Sequence, residues 1–178
     1  DEDLMRITVF LGSKDGVGPG YLAAARDFGT AIARAGAGLV YGGAGIGLMS
    51  AVADAALEAG GEVIGVMPSG LVRREGLRTD LTAMHVVETI HERMALMAEL
   101  GDAFVSLPGG LGTMEELFEI WTWAQLGFHA KPVALLNVQG FFDPLTDFIE
   151  HAARQEFLTE ADRDLLHVDA DPERLLSW

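Results

Sequence analysis

Short runs of apolar and small residues alternate along the chain with longer stretches in which apolar residues recur every three or four positions. The short runs read as strands: RITVFLGS (6–13), GLVYGG (38–43), EVIGVMP (62–68), MHVV (84–87), AFVSLPGG (103–110), PVALLN (132–137) and a brief LLHV (165–168). The longer stretches predict helices near 19–35, 46–59, 89–100, 113–127 and 144–155. Strands that lack polar alternation have both faces covered. The pattern therefore predicts one domain over 1–178, a doubly wound, Rossmann-like parallel α/β sheet flanked by helices. The longest irregular piece, PSGLVRREGLRTDLTA (68–83), carries Arg73, Arg74 and Arg78 and reads either as a solvated loop or as a flap over a site.

In such a sheet, ligands sit where strand ends lead into helix N-termini, with their unpaired N–H groups and positive dipole end. Three of these junctions are glycine-rich: GSKDGVGPG after the first strand, YGGAGIGLMS after the second and LPGGLGTMEE after the fifth. One glycine turn is explained by sterics alone; three at one sheet edge point to a nucleotide-like ligand. No GxxxxGK[ST] is present, and the glycines of GGAGIG stand at the wrong intervals for a dinucleotide fingerprint. A monophosphate fits best, with Gly12, Ser13 and Gly43 as candidate contacts in the first two loops.

The third junction admits a second explanation. Thr113 and Glu116 have capping-box spacing, Thr at the N-cap and Glu at N3, which needs no chemistry. The rival is that a carboxylate at a ligand-binding helix N-terminus faces the ligand. In ETIHERMALMAEL (88–100), Ile90, Met94, Met97 and Leu100 share the predicted core face. Arg93 falls in the second turn, where the helix dipole disfavours a cation, so it has another reason to be there, an ion pair or a ligand. No pair of His, Asp or Glu has metal-ligand spacing, and no metal is expected.

Composition narrows the field. The chain has no cysteine, which removes disulfides, thiolate metal sites and thiol nucleophiles. A net charge of −15 without a basic stripe argues against nucleic acid. No run is long and apolar enough for a membrane helix, and the acidic N-terminus is unlike a signal peptide, so no membrane partner and a cytoplasmic location are expected.

YGGAGIGLM, HER, PGGLGTMEE and TWAQLGFHAKPVALLN, in that order, resemble the LONELY GUY family of phosphoribohydrolases, whose hallmark is PGGxGTxxE. The likeness runs from the first strand to about residue 155, and the hallmark is complete at Pro108, Gly109, Gly110, Gly112, Thr113 and Glu116. It implies hydrolysis of the N-glycosidic bond of a nucleoside 5′-monophosphate, a cytokinin riboside 5′-monophosphate or AMP, to free base and ribose 5-phosphate, without a cofactor. It further implies Arg93 and Glu116 as catalytic residues, Gly109, Gly110, Leu111, Gly112 and Thr113 as the phosphate loop, and a homodimer. Two positions depart from the family: Met94 stands where lysine usually follows the arginine, and Lys14 where the first loop usually has a small hydroxyl. Met97, Leu111 and Met114 suit either a prenyl pocket or the core.

Two alternatives belong to other classes. Proteins of this kind have been labelled lysine decarboxylases, which would need a lysine for a pyridoxal phosphate aldimine. The chain offers only Lys14 and Lys131, and Lys131 is expected at the sheet edge opposite the glycine loops. The same fold also resembles molybdenum-cofactor carriers, which bind without cleaving and need not keep Arg93 with Glu116. FEIWTWAQLGF (118–128) is apolar enough to serve as an interface or as ordinary core.

Overall fold

In the computed structural model, which describes residues 4–177, seven strands form one sheet: β1 Arg6–Phe10, β2 Gly38–Tyr41, β3 Val63–Pro68, β4 Ala83–Val87, β5 Ala103–Ser106, β6 Val133–Leu136 and β7 Leu166–Asp169. Their order is β4-β3-β2-β1-β5-β6-β7, and every neighbouring pair is parallel. The chain therefore winds outward from β1 to β4 and then returns to the other side of β1. Thr8 records the reversal, lying in register with Val40 of β2 on one side and Phe104 of β5 on the other. The carboxyl ends of β1 and β5 thus flank the switch point, where doubly wound sheets open a crevice.

The central strands β2, β3 and β6 are buried along their whole length, whereas the edge strand β4 is not. That is the pattern their uninterrupted apolar composition requires. One face carries α1 (Gly20–Arg34), α2 (Gly47–Glu58) and the short α8 (Pro172–Leu175), around a core that includes Phe28, Ile32, Leu39, Tyr41, Val52 and Leu175. The other carries α4 (Ile90–Leu100), α5 (Leu111–Gln125) and α6 (Asp143–Arg154), around Phe10, Met97, Phe104, Leu117, Ile120 and Ile149. Five helices fall within a few residues of the periodicity-based expectation. Three short ones, α3 (Val72–Glu75), α7 (Glu160–Asp164) and α8, occupy stretches too brief to show a helical period.

Two expectations change. Ile90 is 47% exposed at the first position of α4, so the core face of that helix starts at Met94. The second concerns capping. Helix α5 starts at Leu111 with Gly110 as its N-cap and no side-chain cap, two residues before the expected start. Thr113 is consequently inside the helix and Glu116 is not its capping partner. The physical cause is the Pro-Gly-Gly turn, which reverses the chain so tightly that the helix begins directly after it.

Candidate active site

The three glycine-rich junctions meet at the carboxyl ends of β1, β2 and β5, joined by main-chain contacts. Gly12 N–H donates to Pro108 O at 3.0 Å, tying the first loop to the third. Met49 N–H donates to Gly12 O at 3.3 Å, tying the second to the first. At Gly47, with φ +59°, a Cβ would strike the backbone of Ser13 and Lys14. At Gly109 a Cβ would crowd Gly12 N at 2.9 Å and collide with the Thr113 hydroxyl. These glycines are needed for the close approach itself.

The first bond within α5 runs from Met114 N–H to Gly110 O at 3.1 Å, which leaves the amides of Leu111, Gly112 and Thr113 without a partner inside the helix. Together with the dipole they form an anion-binding end. Leu111, Gly112 and Gly110 are exposed, and Thr113 is buried beneath them. Gly12 and Gly43 are buried in their loops, while Ser13 and Lys14 are exposed. Met97, the other candidate contact, is fully buried in the core cluster beneath α4, where Met94 is buried on the core face expected of it. Met114 is half-buried against the same core cluster.

Arg93 reaches from α4 across the strand ends. Its Nε donates to Val66 O at 2.9 Å and its Nη2 to Gly42 O, so one carbonyl within β3 and one just past β2 orient the guanidinium. Nη2 also pairs with Glu75 Oε2 at 3.2 Å. These contacts explain an arginine in a helix turn whose dipole opposes it. Glu75, at the end of α3, was missed by the sequence reading: a lone carboxylate among Arg73, Arg74 and Arg78 carries no periodic or motif signal.

Glu116, in the second turn of α5, lies within electrostatic reach of this group. Burial pushes its carboxyl up to about 8; the charge of Arg93 pulls it down, and Glu75, Glu115 and Glu119 push it further up. A carboxyl poised near neutrality beside a fixed guanidinium is a recurrent arrangement in catalytic sites. Glu119 is also raised, by burial and by Glu115, against the opposing charge of His91.

The segment between β3 and β4 lies across the second glycine loop. Gly45 N–H donates to Glu75 O and Gly76 O, both at 3.0 Å, and Ala44 pairs with Leu77 in an antiparallel bridge. Of the three arginines in this strap, Arg73 and Arg74 are exposed and Arg78 turns inward.

Lys131 cannot serve an aldimine. Its Nζ donates to Ala98 O at 2.8 Å and Gly101 O at 2.7 Å, closing the C-terminal end of α4 on the side away from the glycine loops. Lys14, the other lysine, stands exposed in the first loop. These residues do not fit a pyridoxal phosphate site. Among the described residues, no group of three or more His, Cys, Asp or Glu side chains is placed to hold a metal ion. Nor is any helix there long and apolar enough to cross a membrane.

The fold defines a doubly wound α/β protein of the type seen in molybdenum-cofactor carriers. The molybdenum cofactor binding protein of Rippkaea orientalis superposes with a TM-score of 0.74 at 23% identity, over 99% of this chain and 95% of that one. The Moco carrier protein of Chlamydomonas reinhardtii gives 0.70 at 26%, over 98% and 94%. Sequence places the chain more narrowly. A family model described as possible lysine decarboxylase matches residues 49–177. The chain is 50% identical to the cytokinin riboside 5′-monophosphate phosphoribohydrolase of Rhodococcoides fascians, over 94% of this chain and 85% of the relative. It is 47% identical to the LOG phosphoribohydrolase of Oryza sativa subsp. japonica, over 90% and 66%. It belongs to this phosphoribohydrolase family, the LONELY GUY family, whose hallmark residues it carries.

Proposed function

We propose that the protein hydrolyses the N-glycosidic bond of a nucleoside 5′-monophosphate, a cytokinin riboside 5′-monophosphate or AMP, with Arg93 and Glu116 as its catalytic residues. The observation that carries this reading is the Arg93 guanidinium held by Val66 O and Gly42 O within electrostatic reach of Glu116, on the helix whose first amides, those of Leu111, Gly112 and Thr113, lie open. The phosphate is held by those amides and by the backbone of Gly109 and Gly110, with Gly12, Ser13 and Gly43 completing the cradle. Because it lies away from the broken bond, its binding energy serves to position the ribose. As the C1′–N bond breaks, positive charge develops on the sugar, and the Glu116 carboxylate stabilises it and orients the attacking water. Water oxygen bonds to C1′, the base departs with its electron pair and takes up a proton, and ribose 5-phosphate remains. Arg93, already oriented by Gly42 O and Val66 O, offers a planar pair of donors that lysine would not reproduce. Water is the co-reactant, and no cofactor is needed.

The test is release of free base from AMP and from N6-isopentenyl-AMP by the purified protein, with Glu116→Gln and Arg93→Ala alongside. Release by wild type and its loss in both variants is the expected result, and the ratio of the two substrates assigns the base preference. Tight nucleotide binding without release would replace the hydrolase by a carrier.

A homodimer is part of the same proposal. Phe118, Phe128, Phe148 and Phe157 are exposed on and beside α5 and α6, and several of them border a groove of about 210 Å³. So large an aromatic surface calls for a partner. Sedimentation is expected to give twice the chain mass, falling to one in Phe148→Glu.

A further inference from the structure

One largely buried cation clips the strap to the body of the protein. The Arg78 side chain is 12% exposed, and its guanidinium bonds two carboxylates at once. Nη1 donates to Asp54 Oδ1 on α2 at 2.6 Å and lies 3.4 Å from Ser50 O. Nε and Nη2 donate to Asp80 Oδ1 and Oδ2 at 2.9 and 2.5 Å. The bidentate pair fixes the strap's outgoing limb, and the Asp54 bond fixes that limb to α2.

The ends of the strap have other anchors: Leu71 and Val72 pack against the core, and Thr82 Oγ1 accepts from Val63 N–H at 3.0 Å. Its middle, residues 75–80, is attached only lightly among the described contacts. It has the single Gly45 amide, the Ala44–Leu77 bridge, the Glu75–Arg93 ion pair and the Arg78 clip. Glu75 begins this middle stretch and reaches Arg93 at 3.2 Å.

We propose that Arg78 is a positioning residue for the active site: by clipping the strap to Asp54 it holds Glu75 against Arg93, and so sets how much of the Arg93 charge reaches Glu116 and the substrate. The kinetic consequence rests on the hydrolase reading given above; the mechanical one does not. The charged and titratable groups around the chain of contacts all bear on it. Arg78 is faced by Asp54, Asp80 and Tyr41; Arg93 by Glu75, Glu116 and Tyr41; Glu116 by Arg93, Glu75, Glu115 and Glu119. When the clip opens, Glu75 leaves Arg93 and two effects on Glu116 act in one direction. The repulsion from Glu75 weakens, and the attraction from an undivided Arg93 strengthens, so Glu116 ionises at lower pH.

The experiment compares wild type with Arg78→Ala and Arg78→Lys by amide hydrogen exchange and by kcat/KM for AMP across pH. In Arg78→Ala the Gly45 amide should exchange faster. kcat/KM should fall by about ten- to a hundredfold, the scale of a small misplacement of catalytic groups. The acid limb of its pH profile should move to lower pH. Lysine cannot bridge both carboxylates and should not restore the profile. A lower Tm with the acid limb and the kcat/KM of the folded fraction unchanged would reduce Arg78 to a structural ion pair and overturn the proposal. Should wild type release no base at all, the hydrolase reading fails on its own, and Gly45 exchange then decides the clip: no change in Arg78→Ala sinks it.

Discussion

The chain contains the same four-residue pattern, Thr-x-x-Glu, at the start of two helices, and the two copies do different work. At Thr89–Glu92 the pattern is a cap: Thr89 Oγ1 accepts from Glu92 N–H at 3.1 Å, and the Glu92 carboxylate reaches back to accept from Glu88 N–H at 2.8 Å. At Thr113–Glu116 it is no cap, because α5 has already begun at Leu111. The difference lies in what precedes the threonine. Glu88 lets the backbone stay extended up to Thr89, whose φ and ψ are −128° and 160°. Pro108-Gly109-Gly110 turns the chain early, carries Thr113 one turn inside and buries it. Freed from the helix end, Glu116 faces Arg93 instead. A capping motif is therefore defined by the backbone in front of it as much as by its own spacing.

The largest expected effect is the response of Glu116 to pH. Folded Glu116 keeps its proton up to about 8, whereas in the unfolded chain it would release it near 4.5. A folded value above the unfolded one means that stability is fully present below 4.5 and declines as pH rises toward about 8. Glu116→Gln, which never ionises, should escape that decline. Denaturant unfolding is expected to show it increasingly more stable than wild type through this window, levelling off above it, by at most about 5 kcal/mol. Because the mechanism uses the carboxylate, kcat/KM of wild type should rise with pH toward a plateau above about 8. A profile that falls there instead would make Glu116 a proton donor to the departing base.

A smaller effect sharpens the role of the turn. Gly109→Ala places a methyl against the Thr113 hydroxyl and Gly12 N. It should cost about 1–3 kcal/mol, the usual result of overfilling a packed position, measured as a shift in denaturant midpoint. It should also weaken AMP binding by prising the first and third loops apart. Gly110→Ala, where an added methyl meets nothing within 4 Å, is the steric control and should cost no more than about 1 kcal/mol, the difference between glycine and alanine at an N-cap.

The strands and long helices, the placement of three glycine loops at one sheet edge and the identity of Arg93 and Glu116 as candidates were legible because each leaves a local trace: apolar runs, glycine spacing and a family motif. What was not legible depends on contacts between distant segments. Nothing near Glu75 or Arg78 in sequence announces Arg93 or Asp54, 18 and 24 positions away. Met97 fits a helical apolar stripe whether the stripe faces ligand or core, and only the packing of Phe104, Leu117 and Ile120 in the same cluster assigns it to the core. The early start of α5 was hidden for a related reason, since two helix-start signals, Pro-Gly-Gly and Thr-x-x-Glu, overlap and local sequence does not rank them.

The least disruptive test concerns the cap itself. Thr89→Ala removes an acceptor for Glu92 N–H and should cost about 1 kcal/mol, as loss of an N-cap hydroxyl generally does. Thr89→Ser keeps the acceptor and should recover most of it. Arg93 lies four residues along the same helix, but its guanidinium is oriented by Gly42 O and Val66 O, not by the cap. Base release per folded molecule should therefore stay at the wild-type level in Thr89→Ala while the denaturant midpoint drops. A matching fall in kcat/KM would mean that fraying the first turn of α4 is enough to misplace Arg93, and that the cap on α4 is tied to catalysis as closely as the glutamate on α5.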